Sequence, residues 1–165
     1  MPELQLLSPD HAAAVLAFEL ANRAYFAAHI SDRGDEYFDR FADKHRAMLA
    51  EQKAGLGAYY VLVADDGSVL GRFNLFFTGN GTANLGYRVA QAAAGHGVAT
   101  ATAKELIVLA TTRYGLRTLR AATSTQNAAS QKVLAKVGFV PAGPADPSEI
   151  GGQQGSWYQL DLIAS

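Results

Sequence analysis

The chain has 165 residues, with 14 lysines and arginines against 15 aspartates and glutamates for a net charge of −1, and no cysteine. This length suits one domain, taken as 1–165, with a sizeable core, while near-neutral charge leaves no basic footprint for nucleic acid or an acidic membrane surface. The missing cysteine removes disulfide frameworks, thiolate metal sites and a cysteine nucleophile, and with no signal-type N-terminus or bilayer-length apolar run the expectation is a soluble cytoplasmic protein.

Residues 4–7 read as a short strand. Ser8, Pro9 and Asp10 then form a helix start, with a capping hydroxyl, a first-turn proline and an acid near the positive end of the helix dipole. The helix is expected to run to about Ala28, turning Val15, Phe18 and Phe26 to the core. A charged loop at 32–35 leads into a second amphipathic helix with Phe38, Phe41, Ala42, His45 and Leu49 on one side, ending near Gly55. Residues 58–64 are apolar throughout and rich in strand formers, as in a central strand covered on both faces. Asp65, Asp66 and Gly67 make a hairpin turn into a strand over 69–77, and a second turn at 78–81 leads to the next.

In that next strand Leu85, Tyr87 and Val89 alternate with Gly86 and Arg88, the two-residue period of a half-buried strand. Gly95 and Gly97 break the pattern. From Ala99 onward Ala103, Leu106, Ile107 and Ala110 fall on one face of a helix closed by Gly115. The chain therefore passes from strand to helix through a loop almost without side chains. The first turn of such a helix carries backbone N–H groups without partners at the positive end of the dipole, a setting that binds phosphate. The glycines and Ala99 allow close approach, and Thr100 can add a hydroxyl donor.

A second unit follows, with a strand over 118–123 and a helix capped by Asn127. Ala129, Val133, Leu134 and Val137 are its expected buried stripe, Gly138 ends it, and Phe139 folds back on the last turn. Pro141, Gly143, Pro144 and Pro147 then make a stretch that cannot join a regular ladder, and residues 156–163 form the last strand. The order is strand, two helices, three hairpin-linked strands, helix, strand, helix and a final pair of strands, which gives a mixed sheet with helices on its faces.

Gly86-Tyr87-Arg88-Val89, Gly95-His96-Gly97-Val98-Ala99-Thr100, Asn127-Ala128-Ala129-Ser130 and Lys136-Val137-Gly138-Phe139 together resemble the GNAT superfamily of acyl-CoA-dependent N-acetyltransferases, in its RimJ/RimL-like branch. The resemblance is specific over about 69–143. It implies an α/β (α+β) fold: a mixed, mostly antiparallel sheet flanked by helices, in which a splayed parallel strand pair forms an acetyl-CoA cleft. It further implies that the amides of Gly95, His96, Gly97, Val98, Ala99 and Thr100 hold the diphosphate of acetyl-CoA, that the pantetheine arm pairs with the edge of Tyr87, Arg88 and Val89, and that Asn127 and Ser130 also contact the cofactor. Two positions depart from the family pattern. Ala94 stands where a glutamine or arginine is usual, and Leu134 replaces the tyrosine that in many relatives protonates the leaving thiolate.

The activity implied is transfer of an acetyl group to a primary amine, on a protein N-terminus or a small molecule, by direct attack in a ternary complex. Ser130 resembles the serine assigned to the leaving thiolate in this branch. For the base the candidates are Glu149, Asp146, Asp35, Glu19 and His29; Glu149 is preferred because relatives place an acid between the last strands, acting through water. The loop at 32–36 with Tyr37 is the alternative acceptor rim, selecting an amine by charge. His96 is expected near cofactor phosphate, and no metal ligand set is present in the sequence. A CoA-binding regulatory domain of reduced activity is the alternative function, and a nucleotide-binding protein is disfavoured by the lack of a ribose-binding acid after the loop. Neither a nucleic-acid nor a membrane partner is expected, and pairing as a homodimer is left open.

Overall fold

The computed structural model describes residues 1–28, 30–146, 150 and 154–162. Seven strands form one sheet: β1 Glu3–Leu6, β2 Gly57–Val63, β3 Val69–Gly79, β4 Thr82–Val89, β5 Thr118–Ser124, β6 Val140–Ala145 and β7 Gly155–Asp161, in the order β1-β2-β3-β4-β5-β7-β6. Every neighbouring pair is antiparallel except β4 and β5, which are parallel. Among the described residues no helix is long and apolar enough to cross a membrane.

Two cores sandwich the sheet. On one face α5 Val98–Thr112 and α6 Ala128–Lys136 cover Phe73, Leu75, Leu85 and Leu119, with Leu106, Ala110 and Leu134 as the helical contribution. On the other, α1 Ala12–Ala21, α2 Arg23–Ala27 and α4 Phe41–Lys53 bring Val15, Phe18, Phe26 and Phe41 against Tyr59, Val61 and Val69. The all-apolar β2 is buried on both faces, as its composition requires.

The first long helix is not continuous. A short 3-10 turn at Pro9–His11 precedes α1, and Asn22 separates α1 from α2 with φ −108° and ψ 8°. The buried Asn22 side chain explains the break: its Nδ2 donates to the Phe18 carbonyl at 2.9 Å while its Oδ1 accepts from the Gln91 N–H at 3.0 Å. The interruption thus ties the helix to the segment after β4. The second helix is also divided, at Arg40, into α3 Asp35–Asp39 and α4. Of the proline-rich stretch, Pro141, Gly143 and Pro144 do join the sheet, in β6, an edge strand interrupted between Pro141 and Gly143, while Pro147 lies outside the described residues. Edge position lets its prolines lack a ladder donor. On α6 only Leu134 of the expected stripe is fully buried; Ala129 is exposed and Val133 half-buried because they line a cleft, and Val137 is half-buried against the core.

Candidate active site

The cleft begins where β4 and β5 part. They pair only through Thr82–Asn84 and Thr118–Arg120. Beyond Asn84, β4 keeps its ladder with β3, from Leu85 opposite Leu75 to Val89 opposite Gly71, while β5 continues against β7. The β5-facing edge of β4 is therefore left with unpaired backbone groups, and the burial alternation of the strand ends after Leu85.

Gly95 and Gly97 both adopt the left-handed conformation, φ 78° and 75°, and a Cβ at either would meet no atom within 4 Å. Gly97 is the N-cap of α5, whose first backbone bond runs from the Ala101 N–H to the Gly97 carbonyl. Among the described residues no acceptor is paired with the amides of 95–100. The loop is thus a run of bare donors at the start of a 15-residue helix. These residues fit a bound diphosphate, which the open space over both glycines admits.

Two cavities, of about 350 and 300 Å³, meet at this splay. The first runs from Gly95, Gly97 and Thr100 to Lys132 and Lys136 of α6, and the second lies over Leu85, Ala121 and Thr123. They share Ile30, Tyr87, Arg88, Asn127 and Ser130. Of the residues expected from sequence, Tyr87, Arg88, Val89, Gly95, Gly97, Val98, Ala99, Thr100, Asn127 and Ser130 line the first cavity. His96 is exposed in the loop outside that lining. Asn127 Oδ1 accepts from the Ser130 N–H at 3.2 Å, so it caps α6 while its amide nitrogen stays available.

Ser130 has a partner that sequence reasoning missed. Its hydroxyl and the Tyr87 hydroxyl hydrogen-bond at 3.2 Å. The Tyr87 ring is held by stacking on Phe73, with centroids 5.5 Å apart. Burial raises the phenol above its ordinary value, the Ser130 bond only partly opposing it, so Tyr87 stays protonated near neutrality. Leu134, 1% exposed, belongs to the core. Lys132 and Lys136 were also missed; their four-residue spacing on an exposed helix face was the available signal.

On the opposite face of β4, Arg88 points toward α1. There Glu19, 1% exposed, receives Arg33 Nε at 3.0 Å and Nη2 at 3.1 Å, and Arg72 Nη1 at 2.8 Å, with Arg88 Nη1 at 3.5 Å. Burial alone would raise the Glu19 carboxyl, but Arg33 and Arg72 override it and hold the group below its ordinary 4.5. Arg72 also donates to the Tyr37 hydroxyl at 3.1 Å. The acids of the 32–36 loop are occupied: Arg23 binds Asp32 at 2.9 and 2.7 Å and Asp35 at 2.9 Å, and its hydrogen bond holds Asp32 down at about 2. Glu149 and His29 lie outside the described residues. Among the described residues no three His, Cys, Asp or Glu side chains gather as a metal site.

A family model described as Acetyltransferase (GNAT) domain matches residues 3–140. The chain belongs to the GNAT acetyltransferases. Among curated proteins, none matches this sequence. Solved structures share the fold of this acetyltransferase at low identity. Ribosomal-protein-S5-alanine acetyltransferase from Vibrio fischeri superposes with a TM-score of 0.88 at 20% identity, over 98% of this chain and 93% of that one. RimJ of Mycobacterium smegmatis, in complex with CoA-disulfide, gives 0.84 at 22%, over 96% and 80%. Spermidine N-acetyltransferase from Vibrio cholerae, in complex with CoA and spermine, gives 0.80 at 14%, over 98% and 95%.

Glu19 folds with a depressed pKa, so its contribution to stability is present in full above pH 4.5 and is lost as pH falls through the folded value. Glu19→Gln leaves three guanidiniums around a neutral amide. We expect it to cost about 3 kcal/mol at pH 7 in urea unfolding, and the difference from the parent to shrink on acidification.

Proposed function

We propose that this acetyltransferase moves the acetyl group of acetyl-CoA to a primary amine, on a protein N-terminus or a small molecule, by direct attack within a ternary complex, its 165 residues acting as one domain. The observation that carries this reading is the run of unpaired amides at 95–100 opening beside the unpaired edge of β4. Two fold neighbours support it, RimJ with CoA-disulfide and a RimL acting on ribosomal L7/L12 with coenzyme A.

In this reading the amides of Gly95, His96, Gly97, Val98, Ala99 and Thr100 hold the diphosphate, and Lys132 and Lys136 add charge from the facing helix. The edge of Tyr87, Arg88 and Val89 fixes the pantetheine arm, and a main-chain N–H there receives the acetyl oxygen as it becomes anionic. Acetyl-CoA supplies a thioester whose C–S bond breaks as the C–N bond forms. Fixing both reactants in one cleft accounts for roughly 7 kcal/mol or more of barrier lowering in well-oriented cases.

Ser130 and Tyr87 then serve the departing sulfur. A thiol with pKa near ~8.5 leaves readily, so hydrogen bonding from a hydroxyl is sufficient help. The pair passes a proton to sulfur and is reprotonated from solvent, while the proton lost by nitrogen goes through water to the base, so the transfer balances without a covalent enzyme intermediate. For the base, Asp35 and Glu19 are both held by arginines, and we assign the role to Glu149, acting through water.

The direct test is thiol release from acetyl-CoA across a panel of amines. Amine-dependent release is expected; CoA binding with no amine raising the rate would favour the regulatory alternative. Gly97→Asp sets a negative charge and a strained left-handed residue against the diphosphate. Its acetyl-CoA affinity should fall roughly tenfold to a hundredfold by calorimetry. Ser130→Ala and Tyr87→Phe should each lower kcat by roughly tenfold to a hundredfold with acetyl-CoA affinity kept. The double variant should be no slower than the slower single, because the two hydroxyls act as one unit.

A further inference from the structure

The charge around the meeting point of the two cavities is unbalanced. Arg88 lines both cavities with a side chain only 18% exposed. Among the described residues its guanidinium reaches one acceptor, Glu19 Oε1 at 3.5 Å, longer than a good charge-assisted bond. Its Cζ lies over the Phe26 ring, 5.0 Å from the centroid, a cation–π contact that spends no hydrogen bond. The Glu19 carboxylate is already filled by Arg33 and Arg72. Arg88 is thus a largely buried cation with most of its five donors unspent.

Nearby acids do not restore the balance. Asp32 and Asp35 are bonded to Arg23, so among the described residues Arg23, Arg33, Arg72 and Arg88 share Glu19, Asp32 and Asp35, and the Glu149 assigned above as base is committed to the amine proton. No carboxylate lines either cavity among the described residues. Burial first, and then the positive Arg33, lower the Arg88 pKa to about 10, with Glu19 only partly opposing them. Strand geometry gives this charge its direction. Tyr87 projects toward Ser130 on the thiol side, and Arg88, the next residue, projects to the opposite face, toward α1 and α2.

Building on the transfer reading above, we propose that the acceptor is an amine that carries a carboxylate, seated on the Arg88 guanidinium, and that polyamines are rejected. A carboxylate can take two parallel N–H bonds from the planar fork and so supplies the missing anion. A polyamine brings further positive charge beside Arg88 and no anion to pair with it. The same field favours the neutral form of the attacking amine, which is the nucleophilic one. A free amino acid and a peptide with an acidic side chain beside its N-terminus share this chemistry.

Thiol release by the full chain tests it with matched acceptors: an amino acid against its carboxamide, a peptide amide with aspartate second against the same peptide with asparagine, and spermidine. The acid member of at least one pair should exceed its neutral partner by roughly tenfold to a hundredfold in kcat/KM, with spermidine slowest. The pair that shows the effect identifies the source of the carboxylate. Arg88→Gln should bring that ratio close to one and Arg88→Lys restore part of it; a change in acetyl-CoA affinity is common to both members of a pair and leaves their ratio untouched. Should Arg88→Gln not fold, the parent decides: a hydroxy acid lacking the amine should compete with the acceptor while its carboxamide does not, and equal inhibition overturns the proposal. Acetylation with equal rates within both pairs, or with spermidine fastest, overturns it alone. Silence toward every acceptor while acetyl-CoA binds overturns the transfer reading and this proposal together.

Discussion

The parting of β4 and β5 after three paired residues is the constraint on which the site depends. A parallel pair carried to its end would satisfy the backbone groups of residues 85–89 and close the sheet over the space that forms the cleft. Because β4 stays anchored to β3 and β5 to β7, the gap is held from both sides. The unpaired edge is therefore rigid, which is what a surface needs if it is to fix an extended ligand by backbone bonds. The glycine loop continues from that strand into α5, and the bare amides at 95–100 lie at one end of the same groove.

The alternation of the strand then divides the chemistry. Successive side chains leave a strand on opposite faces, so at the splay Tyr87 joins Ser130 beneath α6, while Arg88 joins Glu19 and Phe26 beneath α1. A pair of hydroxyls and a cation are thus set one residue apart with the main chain of the strand between them, which in the proposed reading separates the thiol side from the acceptor side. The buried Glu19 keeps this arrangement from being self-repelling, drawing Arg33 and Arg72 into fixed positions at the cost of its own desolvation. Asn22 completes the frame by tying the end of α1 to Gln91.

Much of this was legible in the sequence where local pattern and chemistry coincide. The Asn127 cap, the glycine turn before α5, the fully apolar β2 and the Gly138–Phe139 helix end each follow from short-range rules, and the order of the elements follows from periodicity. What escaped were features set by partners distant in the chain. Nothing local shows that Tyr87 meets Ser130 across 43 positions, or that Glu19 gathers Arg33, Arg72 and Arg88. The break at Asn22 has the same origin, since a contact with Gln91 outweighs helix propensity. The α6 stripe was overdrawn because apolar spacing does not distinguish a face against a core from one lining a cleft.

The central claim is that the amides opening α5 bind the diphosphate of acetyl-CoA. Amide hydrogen exchange read residue by residue, with and without saturating acetyl-CoA, addresses it most directly. Slowed exchange concentrated at residues 95–100, with a second set along the 87–89 edge, is the predicted result. Protection elsewhere in the chain, with exchange at 95–100 unchanged, would contradict it.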